Sequence, residues 1–448
     1  MKEPLEIDKQ LVALIKEDNE QAVKELLEEL HPADIAELLQ DLDDDEAEYV
    51  VAHLDAEIAA DTLMELDEDD RHRLLEDMPN KDIAKHFVEH LDTDDAVDLI
   101  QELDKEDQEE VLSHVDDVEQ AGSIIDLMQY PEDTAGGLMG KEMIVVNENW
   151  SMPECVKRMR EQAEDMDEIF YVYVVDDDKK LRGILPLKML ITNPSASKIK
   201  HIMEPDPISV KADEPLDEVV LTFEKYDLPV MPVVDSIGRL VGRITFDDVM
   251  DEARELTERD YQMASGLSTD VETSDNIWEQ TKARLPWLLI GMLGGIANSW
   301  LLGNFSGDVL KNAAIALFIP LIGGTGGNVG IQSSAIVVQG LANGSLDIKS
   351  ALPQIVKELI LAIINASIIS LLVFTYNLFF GPDFKISVAV SASLFSVIVF
   401  AAVFGAIVPL MLERLKIDPA IATGPFITIT NDIIGMMIYM MVCMALLY

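Results

Sequence analysis

The chain has 448 residues, with 33 Lys/Arg against 83 Asp/Glu and a formal net charge of −50. From Leu285 onward there are only 6 basic and 7 acidic residues, which leaves 27 and 76 on residues 1–284, a net −49. Such a field repels DNA and RNA backbones, so nucleic acid is excluded as a partner, and it attracts cations.

Two cysteines, Cys155 and Cys443, lie far apart and support neither a disulfide framework nor a Cys/His zinc site. A length prior of roughly 100–200 residues per domain suggests about three domains. The opening MKEPLEIDKQ has no apolar signal core, so the N-terminal part is expected in the cytosol.

Residues 1–130 read as an acidic domain of short amphipathic helices. HPADIAELLQDL, DAEIAADTLMEL, NKDIAKHFVEHL and DTDDAVDLIQEL each open on an Asp, Asn or Pro-containing turn and place Leu or Val at helical spacing. Stacking one apolar stripe on the next predicts an all-α superhelix. His31, His53, His72, His86, His90 and His114 follow no ligand spacing and read as surface or capping residues.

An internal repeat follows. Tyr173-Val-Val-Asp176 and Leu181-Arg-Gly are echoed by Pro232-Val-Val-Asp235 and Leu240-Val-Gly, both at an offset of 59. Each copy reads strand, helix, apolar strand, Asp-containing turn, strand, helix, which predicts two α/β modules over 131–200 and 201–254. The pattern resembles a tandem CBS pair, a regulatory module that commonly binds adenine nucleotides. ATP at this pair is therefore an expectation of the resemblance.

After a connecting helix over 255–284, residues 285–448 are expected to form a five-helix α-helical transmembrane domain. The apolar segments are Leu285–Leu302, Val309–Val338, Leu352–Phe380, Ser387–Leu412 and Ile421–Leu447, each long enough for a core of about 30 Å. Lys282, Arg284, Lys349, Lys357, Arg414 and Lys416 fall on the side of the N-terminal domain, and Lys311 and Lys385 fall opposite. The excess of basic residues places the acidic part in the cytoplasm and Tyr448 outside a cell (inner or plasma) membrane.

Asp432 lies about a dozen residues into the last span, where an aspartate costs roughly 2.5–3.5 kcal/mol. The other charges of this region are read as lying near span ends, which leaves no intramembrane Lys, Arg or His as a partner. A cation in a water-filled path is the simplest partner for it. The alternative is a protonated, hydrogen-bonded structural acid. Asp418, before Pro419, is either a pore-entrance site or a helix cap. In the second span, Gly323-Gly324-Thr325-Gly326-Gly327-Asn328 lacks the Gly-Lys-Ser/Thr of a phosphate loop. Glycines at that depth permit close helix contact or an irregular backbone facing a polar cavity, and taken alone favour tight packing. No Ser/His/Asp, His-Glu-x-x-His or kinase-like signature points to an enzyme.

PLIGGTGGNVGIQ, IDPAIATGPFITITND, YPEDTAGGLM and GRITFDDVMDEARELTERD together resemble the MgtE family of magnesium channels, in the same domain order over essentially the whole chain. The resemblance implies a homodimer among membrane lipids that imports Mg2+, with Asp432 as the pore carboxylate and Asp418 lower in the path. It also implies closure when cytosolic Mg2+ bridges acids of the sensor. The candidates carried over are Asp61, Asp94, Asp95 and Asp98 in the helical domain, and Asp217, Asp227, Asp248, Asp251, Glu255 and Glu258 in and after the second module. Gly424 and Thr428 stand where other members can have Asn and Ala. Competing expectations are a channel for Co2+ or Mn2+ and a non-conducting membrane sensor.

Overall fold

The computed structural model describes residues 4–447 apart from 18, 29, 41, 77, 164–165, 167–168, 269–270, 272–275, 306–312, 343–344, 347–350, 381–382 and 423. Lys311, Lys349 and Tyr448, used above to orient the chain, lie outside the described residues. The chain forms two compact units, Met1–Ala253 and Arg254–Tyr448.

The first unit opens with ten short helices: α1 (Pro4–Lys16), α2 (Glu20–Leu27), α3 (Pro32–Gln40), α4 (Asp44–His53), α5 (Ala56–Met64), α6 (Glu68–Leu75), α7 (Asn80–Ile83), α8 (Thr93–Glu102), α9 (Lys105–His114) and α10 (Val118–Leu127). Asp43, Asp67 and Asp117 cap three of them by accepting from backbone N–H groups of the first turn. Leu27, Ile35, Val50, Leu63, Ile83, Phe87, Leu99 and Ile100 form one continuous core along the stack.

Two small sheets complete this unit. β1 (Ile144–Asn147), β2 (Val172–Val175), β3 (Leu181–Leu185) and β4 (Glu204–Pro205) lie in that order. β5 (Val210–Lys211), β6 (Val230–Val234) and β7 (Leu240–Thr245) form the second sheet. In each, the first strand runs parallel to the second and the third antiparallel to it. The register shifts at Val174/Val175 in one copy and at Val233/Val234 in the other, 59 residues on. The turns of the two copies meet: Leu181 N donates to Gly238 O at 3.0 Å and Leu240 N to Lys179 O at 3.1 Å. Both acceptors sit at positive φ, 86° for Gly238 and 61° for Lys179, so the second copy has the residue without a Cβ penalty and the first does not.

The flanking helices are α11 (Met152–Gln162), α12 (Leu187–Thr192), α13 (Leu216–Tyr226) and α14 (Phe246–Ser265). The YPEDTAGGLM segment runs along the second sheet: Ala135 N donates to Glu214 O at 2.8 Å, and Gly136 N to Ala212 O at 2.9 Å. α14 is continuous from the last strand of the second module, with no helix boundary near residue 255.

The second unit holds the remainder of α14, then α15 (Ile277–Asn304), α16 (Ala313–Ala316), α17 (Ile319–Ala342), α18 (Ala351–Phe380), α19 (Phe384–Arg414) and α20 (Gly424–Leu447). Among the described residues four of these, α15, α18, α19 and α20, are long and apolar enough to cross a membrane. The fifth, α17, spans 24 residues, and its glycines, serines and glutamines dilute its apolarity. The unit is arranged inside-out relative to a soluble bundle. On α18, Ile364, Ile368, Leu371 and Leu372 are exposed while Glu358, Ala362, Ala366 and Ser370 are buried, so small and polar residues face the neighbouring helices.

Candidate functional site

In the first unit the chain brings carboxylates together at the start of α8. Asp92 precedes the helix in extended conformation, and Asp94 and Asp95 occupy its first turn, where unpaired backbone N–H groups and the helix dipole favour negative charge. Glu142 clamps this end. Thr93 N donates to its Oε1 at 3.0 Å and Thr93 Oγ1 to its Oε2 at 3.1 Å, with Thr93 itself buried.

α14 supplies the opposite wall. Asp248 accepts from Thr245 N at 3.1 Å and from the Thr245 hydroxyl, so an acid in the first turn of α14 reaches back to the residue ahead of the helix. Gly140 passes between the two walls, paired with Arg243 in both directions at 2.8 and 2.9 Å. A Cβ at Gly140 would lie 2.8 Å from Asp94 Oδ2 and 2.8 Å from Glu142 Oε2, so glycine lets the strand run beside these acids.

Asp92, Asp94, Asp95, Glu142, Asp247 and Asp248 line a cavity of about 210 Å³ together with Arg243, Thr245, Met166 and Phe170. Asp92, Asp94 and Glu142 offer oxygens all within 4.8 Å of one another. Arg243 reaches Asp92 at 3.3 Å and is the cation lining this cavity. Asp94 Oδ1 is buried without a hydrogen-bond partner among the described residues.

Burial, followed by the facing carboxylates of Asp248, Asp95 and Glu142, holds Asp94 well above the usual carboxylate range. Burial and then Asp248, Asp98, Asp92 and Asp61 push Asp95 up to about 7. Asp248 is also raised, because burial outweighs the two bonds from Thr245. Crowded hard oxygen donors with one facing cation form an environment that a divalent ion of the magnesium or calcium type would relieve.

Of the residues expected from sequence, Asp94, Asp95 and Asp248 share this cavity. Asp61 on α5 and Asp98 on α8 are exposed neighbours that add to the repulsion on Asp95. The lining does not include Asp217, exposed in the first turn of α13, or Asp227, which ends that helix at a φ of 50°. Asp251, Glu255 and Glu258 follow along the exposed side of α14, with Glu258 accepting from Arg254 at 3.1 Å. Asp92, Glu142 and Gly140 escaped the sequence reading, since the sequence separation of 49 from Thr93 to Glu142 hides their contact. Their one signal is the Gly-Lys-Glu that follows Met139.

In the second unit Asp432 lies half-buried in the third turn of α20, opposite the glycine face of α17. A Cβ at Gly323 would lie 3.5 Å from its Oδ1, and one at Gly327 would lie 3.8 Å from Oδ1 and 3.4 Å from Thr428 Cγ2. Gly326 turns toward Val397 on α19, whereas Gly324 and Asn328 are exposed and Thr325 is half-buried. The run is helical throughout, so its glycines serve close helix contact and its carbonyls are engaged in the helix. Asp418 accepts from Ala420 N at 2.8 Å and caps the turn Pro419–Ala422.

A second acid also lies inside this unit. Glu358, read from sequence as near a span end, is two turns into α18 and 6% exposed, and accepts from Ser333 of α17 at 2.5 Å.

Long apolar helices packed around an inward acid, joined to an acidic unit with paired α/β modules, define a multi-pass membrane protein built to handle cations. Three family models match: a divalent cation transporter model over residues 319–442, an MgtE intracellular N domain over 30–133, and CBS domains over 135–195 and 199–255. The magnesium transporter MgtE of Thermus thermophilus is 32% identical over 441 residues, 97% of each chain. That of Bacillus subtilis is 30% identical over 322 residues, covering 72% of this chain and 71% of the relative. The crystal structure of the cytosolic domain of the Mg2+ channel MgtE in complex with ATP superposes with a TM-score of 0.52 at 33% identity, covering 55% of this chain and 99% of that one. The chain belongs to the MgtE family of divalent cation transporters.

Proposed function

We propose that this protein is a homodimeric Mg2+ channel of the cell membrane, with its acidic unit in the cytoplasm and its C-terminus outside, and that cytosolic Mg2+ closes it. The observation that carries permeation is Asp432, a half-buried acid on a membrane helix, with Gly323 and Gly327 of α17 beside its carboxylate. Magnesium sheds its water reluctantly, so a carboxylate beside side-chain-free helix surface suits an ion held through its hydration shell.

Closure uses the acid cavity. Without the ion, Asp94, Asp95 and Asp248 repel one another; with it, the α8 end and the α14 start are drawn to a common charge. Asp61 and Asp98 extend this field. Asp217, Asp227, Asp251, Glu255 and Glu258 are proposed to hold further ions along α13 and α14, and Asp418 the inner end of the path.

Nucleotide is a separable part of this reading. The cleft lined by Ile169, Phe170, Tyr171, Tyr173, Val230 and Arg243 offers aromatic faces and a cation, but its volume of about 10 Å³ holds no more than a water-sized group.

Flux through the purified protein in liposomes, with Mg2+ varied on the sensor side, tests the reading. Flux that falls as sensor-side Mg2+ rises is expected, and unchanging flux refutes closure by the transported ion. Competition by Co2+ and Mn2+ separates the neighbouring reading of a channel for another divalent ion.

A further inference from the structure

The membrane unit contains a contact that neither permeation nor closure uses. α17 packs against α19 and α20 through Ile322 and Val337 and, between them, through glycine: a Cβ at Gly326 would lie 3.0 Å from Val397, one at Gly405 would overlap the Gly330 carbonyl, and one at Gly330 would overlap the Asn431 amide. Glycine contacts allow close approach, but they interdigitate few side chains and so do little to set how far one helix is displaced along another.

Two polar contacts add directional registration to the apolar packing of Ile322 and Val337. At one end, Tyr439 Oη of α20 donates to Ile315 O just ahead of α17, at 2.9 Å with Tyr439 fully buried. Toward the other end, Ser333 Oγ donates to Glu358 Oε1 of α18 at 2.5 Å, between side chains 3% and 6% exposed. Elsewhere α18 adds Ala351 and Ile355 to the apolar cluster around Val337 of α17. A carboxyl buried at this depth, with its second oxygen lacking a hydrogen-bond partner among the described residues, is costly and is not needed merely to fill space.

We propose that Glu358 is a positioning residue for permeation: through Ser333 it sets the axial register of α17, and so the spacing between Asp432 and the Gly323–Gly327 face. This rests on Asp432 being the permeation carboxylate. The group acts as a hydrogen-bond acceptor for Ser333, and its charge is not used.

Mg2+ flux in liposomes, measured against Mg2+ concentration on the entry side, tests this. Glu358→Ala and Ser333→Ala are each expected to raise the half-saturating concentration by about two- to tenfold, the factor equivalent to one hydrogen bond's net contribution, with the double variant no worse than either single one. Glu358→Gln keeps an acceptor for Ser333 and should retain the wild-type value. Equal loss in Glu358→Gln and Glu358→Ala would show that the charge is needed and overturn the proposal. So would alanine variants that only reduce the amount of folded protein and leave half-saturation unchanged. Asp432→Asn in the same assay separates the two readings: normal flux there sinks the permeation assignment, whatever Glu358 does.

Discussion

The carbonyl of Ala264, at the end of α14, sits against Gly424, the first residue of α20, so closely that a Cβ at Gly424 would overlap it. Gly424 also holds a φ of 52°, which costs another residue roughly 1–2 kcal/mol. Beside it a Cβ at Gly266 would lie 2.5 Å from Pro425 Cγ. Within the second unit, the helix carrying Glu255 and Glu258 therefore ends directly on the helix carrying Asp432. Gly424→Ala is expected to loosen this contact and leave flux high at sensor-side Mg2+ that closes the wild type. A normal closing concentration in that variant would place the transmission of the signal elsewhere.

The raised carboxyls of the acid cavity predict how pH and Mg2+ act together. Asp95 ordinarily ionises near 3.8 and in the fold near 7, so its contribution to stability is complete below about pH 4 and lost as pH rises through about 7. Asp94 and Asp248 act in the same direction. Millimolar Mg2+ should therefore raise the unfolding temperature of the full-length protein in detergent much more at pH 8 than at pH 5.5, where protons already neutralise the cluster. Equal shifts at both values would show that these acids do not bind the ion.

Gly140→Ala introduces a Cβ 2.8 Å from both Asp94 Oδ2 and Glu142 Oε2. Protection of the full-length protein from proteolysis by Mg2+ should require several-fold more ion in this variant, while protein without Mg2+ keeps its wild-type digestion rate. Unchanged Mg2+ dependence would remove Gly140 from the site.

Asp432→Ala should abolish Mg2+ flux at unchanged yield and oligomeric state, because the acid is half-buried in its helix and accepts no hydrogen bond that the fold needs among the described residues. Retention of flux comparable with the wild type would move the permeation path away from α20.

Much of this protein is legible along the chain. Helix-length apolar runs, a 59-residue repeat and Asp-capped amphipathic segments each depend on neighbours within a few residues or on a fixed period, and these local patterns determine element type almost unaided. Asp432 was legible for the same reason, as an acid within an apolar run.

Partnership was decided only by the tertiary structure. Glu142 meets Thr93, Gly140 makes room for Asp94, and Glu358 holds Ser333, over separations that no period relates. Asp217 and Asp94 look alike as acids near helix starts, yet only Asp94 lines the cavity. The physical reason is that ionisation energy and ion affinity depend on which charges face one another across a desolvated gap, and that distance belongs to packing, not to sequence order.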